Sequence, residues 1–281
     1  MIAFEAAPDS RQLRVLEETF AEDGQPVFTR KGGQLLFATA PHGHASGVAM
    51  GQHLALLPVL QDGAGPGPLS AFRQWLSRML ILRPIPALIN GESTEETLYP
   101  DPKCVNLGAW FSGLVLQTPR AYIDIDAFLK QVMPDFSGIE NQSVGKDARN
   151  LVIQFSQNQA TLELPVARLS DGEKCFLISA LALATSKWLG PLFCFWDEPD
   201  NYLAMDEVGH FVMDLRRAFN AGGGQFITTS HNPEAIRRFS DENTLLLYRK
   251  NHMEPVTVRP LSEIQVNGDL INAMIRGDVE P

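Results

Sequence analysis

The chain is 281 residues long, 44% hydrophobic and 20% charged, with a formal net charge of −10. This composition belongs to a globular protein with length for one large domain or two small ones, and it excludes a disordered or low-complexity chain. The acidic balance argues against a dedicated nucleic-acid-binding module, although binding depends on where charge lies as well as on its sum.

No basic segment followed by an apolar stretch opens the sequence. The apolar run over residues 176–184 is too short for a membrane span and contains Ser179. A soluble, cytoplasmic protein with no membrane partner is therefore expected. Cys104, Cys175 and Cys194 lie far apart, with no C-x-x-C pair, and are expected as reduced, buried thiols.

In chain order, residues 12–39 read as an antiparallel meander. Strands over 13–18, 26–30 and 34–39 are separated by Asp23-Gly24 and Lys31-Gly32-Gly33, both turn signals. The first of these strands also tolerates a helix. Residues 41–47 hold His42 and His44 without a nearby cysteine or carboxylate, which favours a surface loop over a metal site. Residues 62–68 are a breaker cluster and read as loop. Leu69, Phe72, Leu76 and Met79 recur at helical spacing and predict a helix over 69–82, ended by Pro84 and Pro86. Further helices are expected over 107–116 and 126–132, so residues 51–135 read as largely helical. A hairpin over 151–155 and 160–164 follows. Beyond it, helix 173–189, strand 192–196, helix 206–219, strand 225–229, helix 233–238 and strand 244–248 alternate as in a parallel α/β layer.

Three polar clusters punctuate that layer. Ser170-Asp171-Gly172-Glu173 precedes the long apolar helix. It reads as a capping box, in which Ser170 and Glu173 satisfy first-turn amides, or as an anion-facing helix start that uses the same hydroxyl and amides. Asp197-Glu198 ends an apolar strand. It reads as a solvated turn, or as a metal carboxylate beside a residue that activates water. Thr229-Ser230-His231 ends the next strand. It reads as a helix cap before Pro233, or as a histidine facing phosphate and the attacking water. Their succession, each separated by one helix, favours the functional reading of all three together.

These residues resemble the carboxyl half of ABC-type ATPases of the non-transport branch, the group that includes RecF, SMC and OLD-like proteins. Residues 169–174 are similar to the signature L-S-G-G-E/Q, with Asp171 in place of its first glycine. Residues 193–198 resemble Walker B with its catalytic glutamate, residues 199–203 the D-loop, and His231 the switch histidine. The likeness is specific over residues 165–264. It implies an α/β P-loop NTPase-like core (151–281), an antiparallel β segment (1–50) and a mainly helical lobe (51–150), together one ABC-type ATPase domain. It also implies ATP and Mg²⁺ as ligands, with Asp197 on Mg²⁺, Glu198 and His231 catalytic, and Ser170, Asp171, Gly172, Glu173 and Asp200 at ATP. A head-to-tail homodimer, or a pair with a related ATPase subunit, would close on the nucleotide. DNA repair and phage defence, with DNA or a nuclease effector as partner, are the settings the resemblance suggests.

The loop G-x-x-x-x-G-K-S/T, which cradles nucleotide phosphates, does not occur in the 281 residues. In residues 138–146 the first glycine is too far from Gly145-Lys146, and Asp147 follows the lysine. Residues 41–47 lack the lysine. One expectation is an amino-terminally shortened ATPase whose complete form hydrolyses ATP, while this chain alone binds it poorly. The other is an incomplete regulatory subunit that contributes its signature in trans. The intact Asp197, Glu198 and His231 favour the first.

Overall fold

The computed structural model describes residues 1–6, 13–37, 48–49, 51–62, 65–190, 192–239, 243–264 and 270–276. The chain divides into two compact units, Met1–Arg78 and Met79–Pro281.

The first unit is an antiparallel sheet with one helix. Strands β1 (Ile2–Ala6), β2 (Leu13–Glu22), β3 (Gln25–Lys31), β4 (Gln34–Phe37) and β5 (Val48–Ala49) lie in sequence order. Two-residue turns connect β2 to β3 and β3 to β4. Asp23 and Gly24 have φ of 49° and 79°, and Gly32 and Gly33 have 54° and 87°. Paired positive φ angles twist tight turns to match the strands they join. His42 and His44 lie outside the described residues.

Helix α1 (Pro68–Ser77) starts at Gly67, which has no side chain to cap it. Asp62 takes that role from five residues upstream, accepting the amides of Leu69 and Ser70 at 3.1 and 2.6 Å. Hydrogen bonding with the Ser70 side chain, and then with the backbone amides of Ser70, Gly67 and Leu69, holds the Asp62 carboxyl below its usual range against the raising effect of desolvation. Inside the sheet, Arg30 is fully buried. Its guanidinium donates to the carbonyls of Leu54 and Gly51 and lies 3.7 Å from Glu18, which in turn accepts the amides of Leu56 and Leu57. This ion pair pins residues 51–57 to the sheet.

The second unit is mixed α/β. Its elements are β6 (Met79–Leu82), β7 (Glu92–Ser93), α2 (Leu107–Gln117), α3 (Ala121–Val132), β8 (Phe136–Val144), β9 (Ala148–Gln157) and β10 (Ala160–Pro165). They continue with α4 (Asp171–Leu189), β11 (Phe193–Asp197), α5 (Met205–Ala221), β12 (Gln225–Thr229), α6 (Pro233–Arg238), β13 (Leu245–Tyr248), β14 (Thr257–Pro260) and α7 (Leu270–Arg276). Strands β7 to β10 form an antiparallel sheet centred on β9, and β13 pairs with β14. A three-stranded parallel sheet, in the order β12-β11-β6, carries the polar clusters.

The structure differs from the sequence reading in several stretches. The strand expected over 244–248 in the parallel layer is β13, which pairs antiparallel with β14 in a sheet of its own. The helix expected over 69–82 ends at Ser77, and Met79–Leu82 is a strand of the parallel sheet. Four consecutive apolar residues satisfy helix and buried-strand patterns alike. Pairing of Leu80 with Cys194 and Leu82 with Trp196 settles the matter. Residues 136–144, inside the expected helical lobe, form β8, whose hairpin partner β9 closes it through a turn with Gly145 at φ 72°.

One face of the parallel sheet is buried. Leu80, Leu82, Cys194 and Trp196 are at most 1% exposed. Helix α5 covers this face, with Phe211 edge-on to Trp196 and Phe219 stacked on Phe226. On the opposite face Ile81 and Ile227 are about half exposed. Helix α4 is buried for most of its length and packs against α2, α3 and α5. Asp124 of α3 ties down its last turn by accepting from Lys187 and from the Trp188 indole, each at 2.6 Å. The three cysteines are free and buried, and burial pushes the thiols of Cys175 and Cys194 up to about 12, which makes them poor nucleophiles. Among the described residues, no helix is long and apolar enough to cross a membrane.

Candidate functional site

The carboxyl ends of β6, β11 and β12 lie side by side because the strands are parallel and in register. Asp197 pairs with Thr229, and Trp196 pairs with Leu82, one residue before Arg83. Open α/β sheets hold their ligands along this edge. A hydrogen-bonded cluster occupies it here. The Thr229 hydroxyl donates to Asp197 Oδ1 at 2.6 Å and accepts the Glu198 amide at 3.0 Å. The other carboxylate oxygen of Asp197 lies 3.3 Å from Arg83 Nε.

Glu198 turns out of the strand with φ of +50°, a left-handed conformation uncommon for a residue with a side chain. The turn aims its carboxylate along the sheet edge. His231 Nε2 lies 3.1 Å from Glu198 Oε1, and the side-chain amide of Asn201 donates to Oε2. The His231 ring is 90% exposed and the Glu198 side chain 33%. The pair is therefore joined to each other and open to an incoming ligand.

Asp200 is of another kind. It is 3% exposed, Oδ2 accepts the Ser230 hydroxyl at 2.8 Å, and Oδ1 has no hydrogen-bond partner among the described residues. Burial raises its pKa, against the lowering pull of the Ser230 bond. Ser230 also accepts the Asn232 amide, and Asn232 caps α6 by accepting from Glu234. Asp200 thus braces the chain on both sides of His231 rather than presenting its carboxylate outward.

The start of α4 is a complete capping box. Ser170 Oγ accepts the Glu173 amide at 3.3 Å, and Glu173 Oε2 accepts the Ser170 amide at 2.7 Å. Asp171 is exposed in the first turn. Gly172 joins this helix start to the loop after β11. A Cβ on it would lie 2.9 Å from the carbonyl oxygen of Tyr202. Lys174 points inward, and its Nζ donates to Pro86 O at 2.9 Å.

The structure thus gathers Asp197, Glu198, Asp200 and His231 into one cluster, with Gly172 against the loop that holds Asp200. Ser170, Asp171 and Glu173 stand at the adjoining helix start, where Ser170 and Glu173 bond each other. Thr229, Asn201 and Arg83 belong to the cluster, and the sequence reading gave none of them a role of its own. Thr229 had one available signal, its place at the end of the strand after Asp197. The misread helix over 79–82 hid Arg83.

The donors along the edge are hard oxygens, the Asp197 and Glu198 carboxylates and the Thr229 hydroxyl, which suit Mg²⁺. Among the described residues no group of three or more His, Cys, Asp or Glu is arranged to hold a metal. Mg²⁺ usually takes one or two carboxylates and completes its shell with water and substrate phosphates.

No protein-family model matches the chain, and no curated protein matches it. Among solved structures it is similar to the Smc head domain with a coiled coil and joint from Pyrococcus yayanosii, at 13% identity and a TM-score of 0.44 over 61% of this chain and 31% of that one. It is similar to the SMC head domain from Thermotoga maritima at 17% identity and a TM-score of 0.37, over 92% of this chain and 77% of the other. A structure described under ATP-driven dimerisation and DNA-stimulated activation of SMC ATPases matches at 11% identity and a TM-score of 0.45, over 60% of this chain and 98% of that one. The chain thus matches less than a third of the length of the first of these structures.

Proposed function

We propose that the cluster at the ends of β11 and β12 is the metal and hydrolysis side of an ATP site of ABC type, working in a dimer that closes on the nucleotide. The observation that carries this reading is the Glu198–His231 pair, 3.1 Å apart at the ends of adjacent parallel strands and next to Asp197. The order of motifs, from the capped helix start through Asp-Glu to His, supports it.

In this reading Asp197 would hold Mg²⁺, its Oδ1 being engaged by the Thr229 hydroxyl. The bound ion would neutralise and orient the phosphates. Glu198 keeps a free lone pair on each carboxylate oxygen beside the bonds to His231 and Asn201, so it can accept a proton from an attacking water. His231, its Nε2–H oriented by Glu198, faces the terminal phosphate with an exposed ring. The start of α4, with Ser170, Asp171, Gly172 and Glu173, supplies amides and a hydroxyl to the nucleotide of a second copy.

The test is Mg²⁺-dependent ATP hydrolysis by a form of the protein that carries a phosphate-cradling loop, with and without Glu198→Gln. Turnover is expected to fall by about 10²-fold or more in the variant, the usual scale for losing a general base, with nucleotide binding retained. Equal turnover by both proteins sinks the assignment. A second reading is favoured by the absence of G-x-x-x-x-G-K-S/T from the 281 residues: a non-hydrolysing subunit that lends its α4 start to a partner's nucleotide. Restoration of hydrolysis in a related ATPase subunit, lost in Ser170→Ala, would distinguish it.

A further inference from the structure

Arg83 is one residue beyond β6, at the same sheet edge as Asp197. Its main chain is fixed: the amide donates to Pro102 O at 2.6 Å, and Pro84 follows. Its side chain is free to move, being 80% exposed, and it meets Asp197 Oδ2 at 3.3 Å through Nε.

The placement matters because the two oxygens of Asp197 are used differently. Oδ1 takes the Thr229 hydroxyl, and that bond is part of the strand-end scaffold. Oδ2 is the oxygen left for a cation, and the guanidinium occupies it. An exposed pair of this kind is weakly held. A divalent cation on Asp197 would repel the guanidinium and displace it. A displaced arginine fixed at its backbone still reaches the space in front of the sheet edge, and its planar fork matches phosphate oxygens two at a time.

We propose that Arg83 is an exchanging cation of this site: it neutralises Asp197 when no metal is bound, and it moves to the polyphosphate of the metal-bound nucleotide when Asp197 takes the metal. The inference rests on the reading of Asp197 as the metal carboxylate. It makes Arg83 a ligand-binding residue and predicts opposite effects on two binding reactions. Without Arg83 the bare metal has no competitor, whereas the anion loses a partner.

Both reactions are measurable without turnover. Free Mn²⁺ is titrated against the protein by its electron paramagnetic resonance signal, and binding of magnesium tripolyphosphate is followed by equilibrium dialysis. Arg83→Ala is expected to bind Mn²⁺ about twofold to fivefold more tightly and magnesium tripolyphosphate about twofold to fivefold more weakly, the scale of one exposed charge contact. Arg83→Lys, which keeps the charge without the fork, should fall between wild type and Arg83→Ala in both. Asp197→Asn should lose Mn²⁺ binding. Loss of Mn²⁺ in Asp197→Asn with both affinities unchanged in Arg83→Ala, or moved in the same direction, overturns the role of Arg83 and leaves the metal site standing. Mn²⁺ binding that persists in Asp197→Asn, or is undetectable in wild type, overturns the metal reading and the role of Arg83 with it.

Discussion

At the scale of single residues, the strand ends combine strain with bracing. Glu198 holds a φ of +50°, a conformation costing about 1–3 kcal/mol for a residue with a side chain. The Thr229 hydroxyl on its amide and the His231 and Asn201 contacts on its carboxylate keep it there. Asp200 contributes in the opposite sense, because its carboxyl is buried and its pKa is raised. The folded protein holds the Asp200 proton more tightly than the unfolded chain does. The stability this confers is complete below the ordinary aspartate value of 3.8 and is lost as pH rises through the higher folded value. Ser230 bonds its carboxylate, while Glu198 and His231 are the charged groups that act on it. Asp200→Asn can still accept from Ser230 and cannot ionise. Its melting temperature relative to wild type should rise from pH 3.8 toward neutrality, and a difference that stays flat with pH would refute the buried-acid account. The position of Asp197, Glu198 and His231 just past strands was legible, because the apolar runs of β11 and β12 give way there to polar residues. The inward aim of Asp200 was not, since a loop residue three positions past a strand carries no pattern that reports burial.

At the scale of elements, the start of α4 and the loop after β11 are fitted to each other. Gly172 stands where the Tyr202 carbonyl passes, and a methyl group there would come within 2.9 Å of a backbone oxygen. Gly172→Ala should therefore destabilise the protein by about 1–3 kcal/mol, the usual cost of overpacking, and speed hydrogen exchange in residues 199–203. Unchanged exchange there would show that the loop yields freely. The capping box of α4 was readable from Ser170 and Glu173 alone, because the interaction spans three residues. The proximity of Gly172 to Tyr202 spans thirty positions of sequence and depends on how α4 packs beside β11. Strand β6 shows the same limit. Its Met-Leu-Ile-Leu run continues the spacing of α1, and only pairing with β11, more than a hundred residues later, makes it a strand.

At the scale of the whole molecule, each compact unit has its own core, and the first depends on a buried charge. Arg30 and Glu18 satisfy four backbone groups between residues 51 and 57, the carbonyls of Gly51 and Leu54 and the amides of Leu56 and Leu57. Removing one member leaves the other buried without compensation, so Arg30→Met should cost about 3–5 kcal/mol. The double variant Glu18→Leu/Arg30→Met should lose less than the single change. Urea unfolding followed by hydrogen exchange in residues 13–37 reads both, and a double variant less stable than Arg30→Met would contradict the account. The sequence by itself determined the order of elements from residue 151 to residue 248, the hairpin turns of the first unit and the ends of β11 and β12. Those features arise from periodicity, turn chemistry and capping within a few neighbouring residues. Tertiary structure alone decided that residues 79–82 join the parallel sheet, that Thr229 bridges Asp197 and Glu198, and that Arg83 rests on Asp197. Each of these is a register relation between distant strands, and register is set by which apolar faces bury together. The Asp-Glu and His strand ends were therefore visible in one dimension as polar residues after apolar runs, and parallel pairing set them side by side.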